Sequence, residues 1–515
     1  ETVLGVEVRR EGGDTAMADR MRGAAPLPLL LVPLLLASIV LPGCASNSSA
    51  KSTPTPPQYL LYLLDGNFAS ATHAQDVRYS VVALDRRDGQ RVWRHPLGTP
   101  QGNGAVARFK PVAQNGLVYV SYEVSNAQMG NTQGVLEALD PATGRTRSRH
   151  EVGNSLEGEP VMSGGGIYLS AHIYMTQGVH SVQSGLVQAL DAQTGTLRWQ
   201  RALDDVSSLS MPAVSGSLVM VVFGSSAGAQ VGVQAGAHLV TLSAQDGTVR
   251  WDYAADAPIS RGDDAFYEGS TAPLVLGQLV YARAPENYPN GDTHVVLLAV
   301  HARDGSFAWQ YDTGGSATPG VSQSGDTLCV SEYHINPAHT GILGSVTGVA
   351  TATGSVRWHV TGFARVSACV AAGAAFYLGE QALDSTAGAL VALGSPDGRQ
   401  LWQTPIPTAP IELSHNRGLS PPTISDDLVV ACLEPAFDPS RPVQTSVSSM
   451  VALGLGDGTL RWHADVAGVA LGLPEIDGDQ IVVHEGSFGA GATQLVAAYA
   501  LQTGTHQWTY TLGQV

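Results

Sequence analysis

Charge is sparse in this chain, and what there is leans one way. Charged residues make up 14% of the sequence, and 44 acids face 27 bases for a formal net charge of −17. A surface of that sign repels phosphate backbones, which sets nucleic-acid binding aside. Cysteine is scarcer still: Cys44, Cys329, Cys369 and Cys432 are the only four. No two adjoin or form a C-x-x-C pair, so neither zinc spacing nor a dense disulfide framework can be read from them. Cys329, Cys369 and Cys432 each lie in an apolar, strand-like run and read as small buried hydrophobes. H-E-x-x-H and C-x-x-C-H are missing, which removes the familiar zinc and haem signatures. After residue 44 there is no amphipathic helical stretch of useful length. The 59 glycines instead suit many short strands joined by tight turns.

The one long apolar run, Leu27 to Leu41, is interrupted by Pro28 and Pro33 and is too short to span a bilayer comfortably. It reads as an export signal over residues 17–43, with Arg20 and Arg22 as its basic end and residues 1–16 as upstream translation. The run closes on Leu41-Pro42-Gly43-Cys44, which resembles the lipobox of bacterial lipoproteins. That resemblance implies lipidation of Cys44. Pro42 departs from the small residue usual there, so an uncleaved anchor stays open beside it. Residues 44–57 read as a flexible tether.

What the rest contains is repetition. A glycine recurs at positions 89, 144, 195, 247, 305, 354, 398, 458 and 504, at intervals from 44 residues (Gly354 to Gly398) to 60 (Gly398 to Gly458). Four residues later stands Trp93, Trp199, Trp251, Trp309, Trp358, Trp402, Trp462 or Trp508; only Ser148 breaks the series. These are all eight tryptophans of the chain. Before each glycine comes Asp or Thr, and six before it stands a small residue: alanine in seven copies, Thr241 and Gly348 in the others. This pattern is a hairpin. An apolar strand enters a turn whose glycine takes positive φ, and the next strand carries an indole that packs on a neighbouring sheet. A second hairpin lies upstream of most copies, as around Asn115-Gly116 and Asp477-Gly478. Each unit is therefore four strands, A to D, and such sheets bury both faces only when set radially in a propeller. The first copy has B, C and D but no obvious A.

Ala189 to Trp199 matches the A-x-D-x-x-T-G-x-x-x-W docking motif of the pyrroloquinoline quinone (PQQ) repeat propellers, and Ala83 to Trp93 matches with Asp88 in place of threonine. The resemblance spans residues 58–515. It implies an all-β fold: a single propeller of four-stranded antiparallel blades, eight by resemblance although nine motif copies are counted. The family includes quinoprotein dehydrogenases and the outer-membrane assembly lipoprotein BamB. The resemblance makes PQQ and calcium possible cofactors. In the dehydrogenases adjacent cysteines commonly form a disulfide over the quinone, and this chain has none.

Strand geometry sorts the loops. The A–B and C–D turns fall on one rim and are short. The B–C and D–A connections fall on the other and are long, which is where binding residues usually stand. Candidates on that rim are Tyr174, Arg261, Asp263, Asp264, Tyr267, Tyr288, Tyr333, His334, His415 and Arg417. Glu123, Glu332, Glu380, Glu434 and Glu485 recur seven residues after the A–B turn, with His172 in the third copy. They form either an acidic collar for a cation or basic peptide, or a set of internal braces. No catalytic or metal residue is assigned. The expectation is an exported, lipid-anchored monomer at the cell surface or in the periplasm. It binds an envelope protein, or an extracellular peptide or glycan, on the long-loop rim. A PQQ- or metal-dependent oxidoreductase and a sugar or small-molecule sensor are the alternatives.

Overall fold

The computed structural model describes residues 60–67, 78–98, 105–107, 109–126, 131–177, 180–204, 206–225, 236–254, 272–287, 293–315, 317–335, 342–381, 387–408, 419–433, 448–466, 468–470, 473–486 and 494–513. All lie in the compact unit Thr55–Val515. Cys44 and the rest of residues 1–54 fall outside them.

The described residues form nine antiparallel sheets and no helix. The order within eight of them is A-B-C-D. Blade 2 is representative: A in two pieces (Ala105–Val106 and Val112–Gln114), then Leu117–Asn126, Asn131–Leu139 and Thr146–Glu151. The count of nine agrees with the nine motif copies where resemblance implied eight, because the first copy builds a blade of its own. Its strands Leu60–Asn67, Arg78–Asp85 and Arg91–Pro96 pair as B, C and D, and no A strand joins them among the described residues.

One register rule links the repeat to the ring. The small residue of strand C stands opposite the tryptophan of strand D, as Ala83 opposite Trp93 and Gly348 opposite Trp358. A Cβ on Gly348 would lie 2.1 Å from that indole, so a small residue is what lets the ring lie across the sheet. Each indole then reaches the next blade. Its Nε1 donates to a carbonyl three residues before the next motif glycine: Trp93 to Pro141, Trp309 to Thr351, Trp462 to Leu501. Its face covers that glycine, where φ is positive and a Cβ would collide with the ring, as at Gly144 beneath Trp93. Seven of the eight indoles are buried and Trp402 is half-buried.

Nine apolar clusters fill the nine seams among the described residues. The last joins the chain's two ends. Leu63, Val82 and Leu84 of blade 1 pack with Val482, Val496, Ala498 and Trp508 of blade 9. Trp508 Nε1 donates to the Arg86 carbonyl at 2.7 Å, as any other blade's tryptophan does. Arg86 in turn pairs with Asp479 at 2.7 Å and Asp477 at 3.3 Å. On the inner side, Lys110 of blade 2 lies 3.3 Å from Glu475 of blade 9, bridging past the blade that brings no A strand.

The cysteine expectation holds for one residue of three. Cys432 is a buried free thiol, whereas Cys329 and Cys369, both buried, are joined as a disulfide. Their forty-residue separation hides the fact that the ring sets them face to face.

Candidate functional site

The tight-turn rim is rigid for a local reason. In the C–D turns the strand-end residue receives the glycine amide, as Gly144 N to the Asp140 carbonyl at 2.8 Å. Where that residue is Asp, its carboxylate also accepts from the turn, as Asp140 does from the Ala142 and Thr143 amides. The opposite rim corrects the expectation of uniformly long loops: strands B and C stay paired out to Gln177 and His180 in blade 3 and to Asn126 and Asn131 in blade 2, while other connections are long. Strand B of blade 8 stops at Leu433 and strand C starts at Ser449, and strand D of blade 4 stops at Ala254 before the next A strand at Leu274.

The four described glutamates of the row brace the sheets. Glu123 accepts from Ser155 Oγ at 3.0 Å and the Leu156 amide at 3.1 Å, both in blade 3. Glu332, fully buried, accepts from Tyr311, Ser345 and Thr347 within its own blade and the one before it. Glu380 accepts from Gln403, and burial raises its pKa above the ordinary carboxylate range. Glu485 accepts from Tyr499 Oη at 2.8 Å. Glu332, Glu380 and Glu485 hold the sixth position of strand B and Glu123 the seventh, so Glu123 faces the following blade and Glu332 the preceding one, but all four satisfy hydroxyls or amides that the sheet leaves over.

His172 substitutes for glutamate and acquires one of its own: Nδ1 lies 2.6 Å from Glu157. Its Nε2 is buried without a hydrogen-bond partner. Tyr174 stands beside it, ring centroids 6.0 Å apart, and is 41% exposed. Tyr333 is buried, its hydroxyl donating to the Val366 carbonyl of blade 7, so it closes a seam. His334, two residues past Glu332, contacts Ser345 Oγ at 2.9 Å through Nε2 and the Gly314 carbonyl at 3.2 Å through Nδ1. The Glu332 carboxylate, 3.6 Å from Nε2, holds its pKa above the ordinary imidazole value. Tyr174 and His334 are thus the partly exposed candidates at the far ends of B strands, in blades 3 and 6. Arg261, Asp263, Asp264, Tyr267, Tyr288, His415, Arg417 and Glu434 lie outside the described residues.

Among the described residues no group of three or more His, Cys, Asp or Glu side chains could hold a metal ion. The disulfide joins residues 40 apart in sequence and lies in the core of a seam. A cavity of about 810 Å³ lies on the tight-turn rim beside the A strands of blades 7 to 9, lined by Val370, Ala371, Thr423, Ile424 and Leu473 among others. It holds none of the candidates.

Two features are not evident in the sequence pattern as aligned on tryptophan. One is a tyrosine at the third position of strand B in blades 1, 2, 3, 5 and 7 (Tyr62, Tyr119, Tyr168, Tyr281, Tyr377), opposite the small residue of strand C. In four of those blades it leans on the blade's own indole, as Tyr281 on Trp309 at 5.6 Å. In blade 2, where Ser148 replaces the indole, Tyr119 takes over the missing bond and donates to the Ala192 carbonyl of blade 3. Aligning the repeats on the A–B turn exposes this row. The other feature is a polar network at the blade 1–2 seam. Glu137 accepts from Tyr122 and Thr146 and lies 3.2 Å from His95, while Arg149 donates to Tyr122 Oη. Burial opposes ionisation of Glu137, but these bonds outweigh it and keep its pKa low.

A family model described as outer membrane protein assembly factor BamB matches residues 77–265, 183–368, 344–436 and 435–514. Among solved structures, BamB from Moraxella catarrhalis is 15% identical, the match covering 76% of this chain and 98% of that one with a TM-score of 0.45. The computationally designed protein Ika8 is 11% identical over 78% of this chain and 99% of its own, TM-score 0.45. A quinohemoprotein alcohol dehydrogenase, ADHIIG from Pseudomonas putida HK5, is 14% identical over 69% of this chain and 68% of its own, TM-score 0.40. A search of curated proteins found no match.

Proposed function

This chain belongs to the family of the outer membrane protein assembly factor BamB, and on that premise we propose that it is an exported, lipid-anchored scaffold that binds a partner protein through its long-loop rim. The observation that supports this most is the contrast between the rims. One is made of short, internally bonded turns. The other carries the longer connections, such as that from Leu433 to Ser449, and the B strands of Tyr174 and His334 run toward it. Rigid frames that present long loops are built for recognition. The glutamates that suggested a cation collar have their carboxylates committed to braces within and between blades, which favours protein contact over ion binding. A catalytic reading has no cluster of metal-ligating side chains among the described residues to build on.

The test is site-specific photo-crosslinking in exported protein, with the photoreactive residue placed at Tyr174, at His334, and at Leu197 and Phe307 on the turn rim. The same envelope protein should be captured from both loop-rim positions and from neither turn-rim position. Equal capture from both rims, or none from the loop rim, defeats the proposal. A rise in melting temperature with a quinone absorbance on adding PQQ and calcium would put the oxidoreductase in its place. The mass of the mature N-terminus tests the anchor, which requires a lipidated Cys44.

A further inference from the structure

We infer that this chain is a substrate for thiol oxidation outside the cytoplasm, and that the product, a disulfide between Cys329 and Cys369, locks the seam between blades 6 and 7 as the ring closes. The inference rests on the folded blades alone and stands whether or not the loop rim binds a partner.

The positions make the case. Cys329 is the third residue of strand B in blade 6 (Thr327–Ile335), opposite the small residue Gly348. That is the position held by tyrosine in five other blades, where Tyr119 and Tyr281 reach carbonyls of the following blade. Cys369 directly precedes the A-strand piece Val370–Ala372 of blade 7. The corresponding residue is Pro111, Pro160, Pro212, Pro273, Pro422 or Pro474 in six other blades. Blades 6 and 7 therefore depart from the repeat at two positions that face each other across one seam, and both departures are to cysteine. At the strand-B position blades 4, 8 and 9 carry Met220, Val430 and Val482, so an apolar residue there is ordinary, and what is particular to blades 6 and 7 is that the two residues meeting across the seam are both cysteine. The Cα atoms are 6.2 Å apart, within the span a disulfide bridges. The same seam holds the Trp358 bond to the Ser395 carbonyl and three hydroxyl bonds: Ser331 to the Ser367 carbonyl, Ser324 to the Gly373 carbonyl and Ser395 to the Ser324 carbonyl.

The chemistry is a thiol–disulfide exchange. Each cysteine loses its proton, the two sulfurs form one bond, and the two electrons reduce the disulfide of a dithiol oxidant to two thiols. Cys329 is 0% exposed and Cys369 is 4% exposed, so the oxidant meets them while the seam is still open. Compartments that sustain such oxidants lie outside the cytoplasm. The disulfide thus argues for export from a part of the chain remote from its leader.

Mapping thiols in protein purified from the exported fraction tests this directly. Alkylation after denaturation without reductant should leave Cys329 and Cys369 unmodified and recovered as one linked peptide pair, while Cys432 reacts. The same chain retained in the cytoplasm should react at all three. Exported protein in which Cys329 and Cys369 are both alkylated overturns the inference. Removing the pair (Cys329→Ala with Cys369→Ala) should lower Tm by roughly 4 °C for a loop of this length in a domain of this size. Reductant should have the same effect on the wild type and none on the variant. If the linked peptide is found but Tm responds to neither change, the seam-locking role is wrong. The mapping needs only the wild-type chain, so it decides the oxidation even if the variant does not fold.

Discussion

At the scale of the residue, the motif glycine answers two demands at once. Gly89 has φ of 70°, and a Cβ there would lie 2.6 Å from Trp508. Substitution thus strains the backbone and displaces the indole that closes the ring. Gly89→Ala should cost about 2–4 kcal/mol in a denaturant titration, more than a strained φ alone would. His334 makes a prediction of a different kind. Its folded pKa is raised by Glu332. The stability it contributes is complete below the ordinary imidazole value and disappears as pH rises through the higher folded one. Tm of the wild type should decline across that window more steeply than Tm of His334→Gln, in parallel scans against pH. The groups facing the imidazole are Glu332, Ser345 and the Gly314 carbonyl, and of these the Glu332 carboxylate carries the charge that sets the difference.

At the scale of the element, strand B and strand D share one duty, and blade 2 shows how it is divided. The Thr351 carbonyl of blade 6 receives both Trp309 Nε1 and Tyr281 Oη from blade 5. The Ala192 carbonyl of blade 3 receives Tyr119 alone among the described side chains, because Ser148 stands where the indole would be. Tyr119→Phe leaves a buried acceptor without its partner and should cost about 1–3 kcal/mol, whereas Tyr281→Phe should cost less than half of that. Equal losses in chemical denaturation would mean that the tyrosines act by packing alone. The hairpins, the strand order and the docking role of the indoles are all legible in the sequence, since they repeat at fixed phase. The tyrosine row is equally periodic, but it is counted from the A–B turn and not from the tryptophan, so the tryptophan phase conceals it.

At the scale of the whole molecule, closure depends on an apolar contact and is only decorated by charge. Trp508 is 4% exposed and lies in the cluster that joins the first and last blades. Trp508→Ala should cost about 3–5 kcal/mol and expose both termini-bearing blades to proteolysis. Lys110 and Glu475 bridge the inner side past blade 1 but are each more than half exposed. Lys110→Ala should therefore shift stability by no more than about 1 kcal/mol. A proteolysis time course of the two variants separates these outcomes. A ring that stayed protease-resistant without its last indole would mean that Arg86 and its two aspartates suffice to hold the closure.

The sequence by itself determined that this is an all-β propeller, which residues turn each hairpin, and which indoles tie blade to blade. Those features depend on neighbours within a few tens of residues and recur often enough to be seen without coordinates. It left three things to the tertiary structure: the number of blades, the use of the glutamates and the pairing of the cysteines. Whether the first copy stands as a blade depends on how it meets Val482 and Trp508 across the whole chain length. Whether Glu123 faces a ligand or an amide depends on where strand A of the next blade passes. Whether Cys329 meets Cys369 depends on two repeats lying side by side in a ring. Each is a contact across a seam. The pattern along the chain fixes what every blade offers, and only ring closure decides what each offer meets.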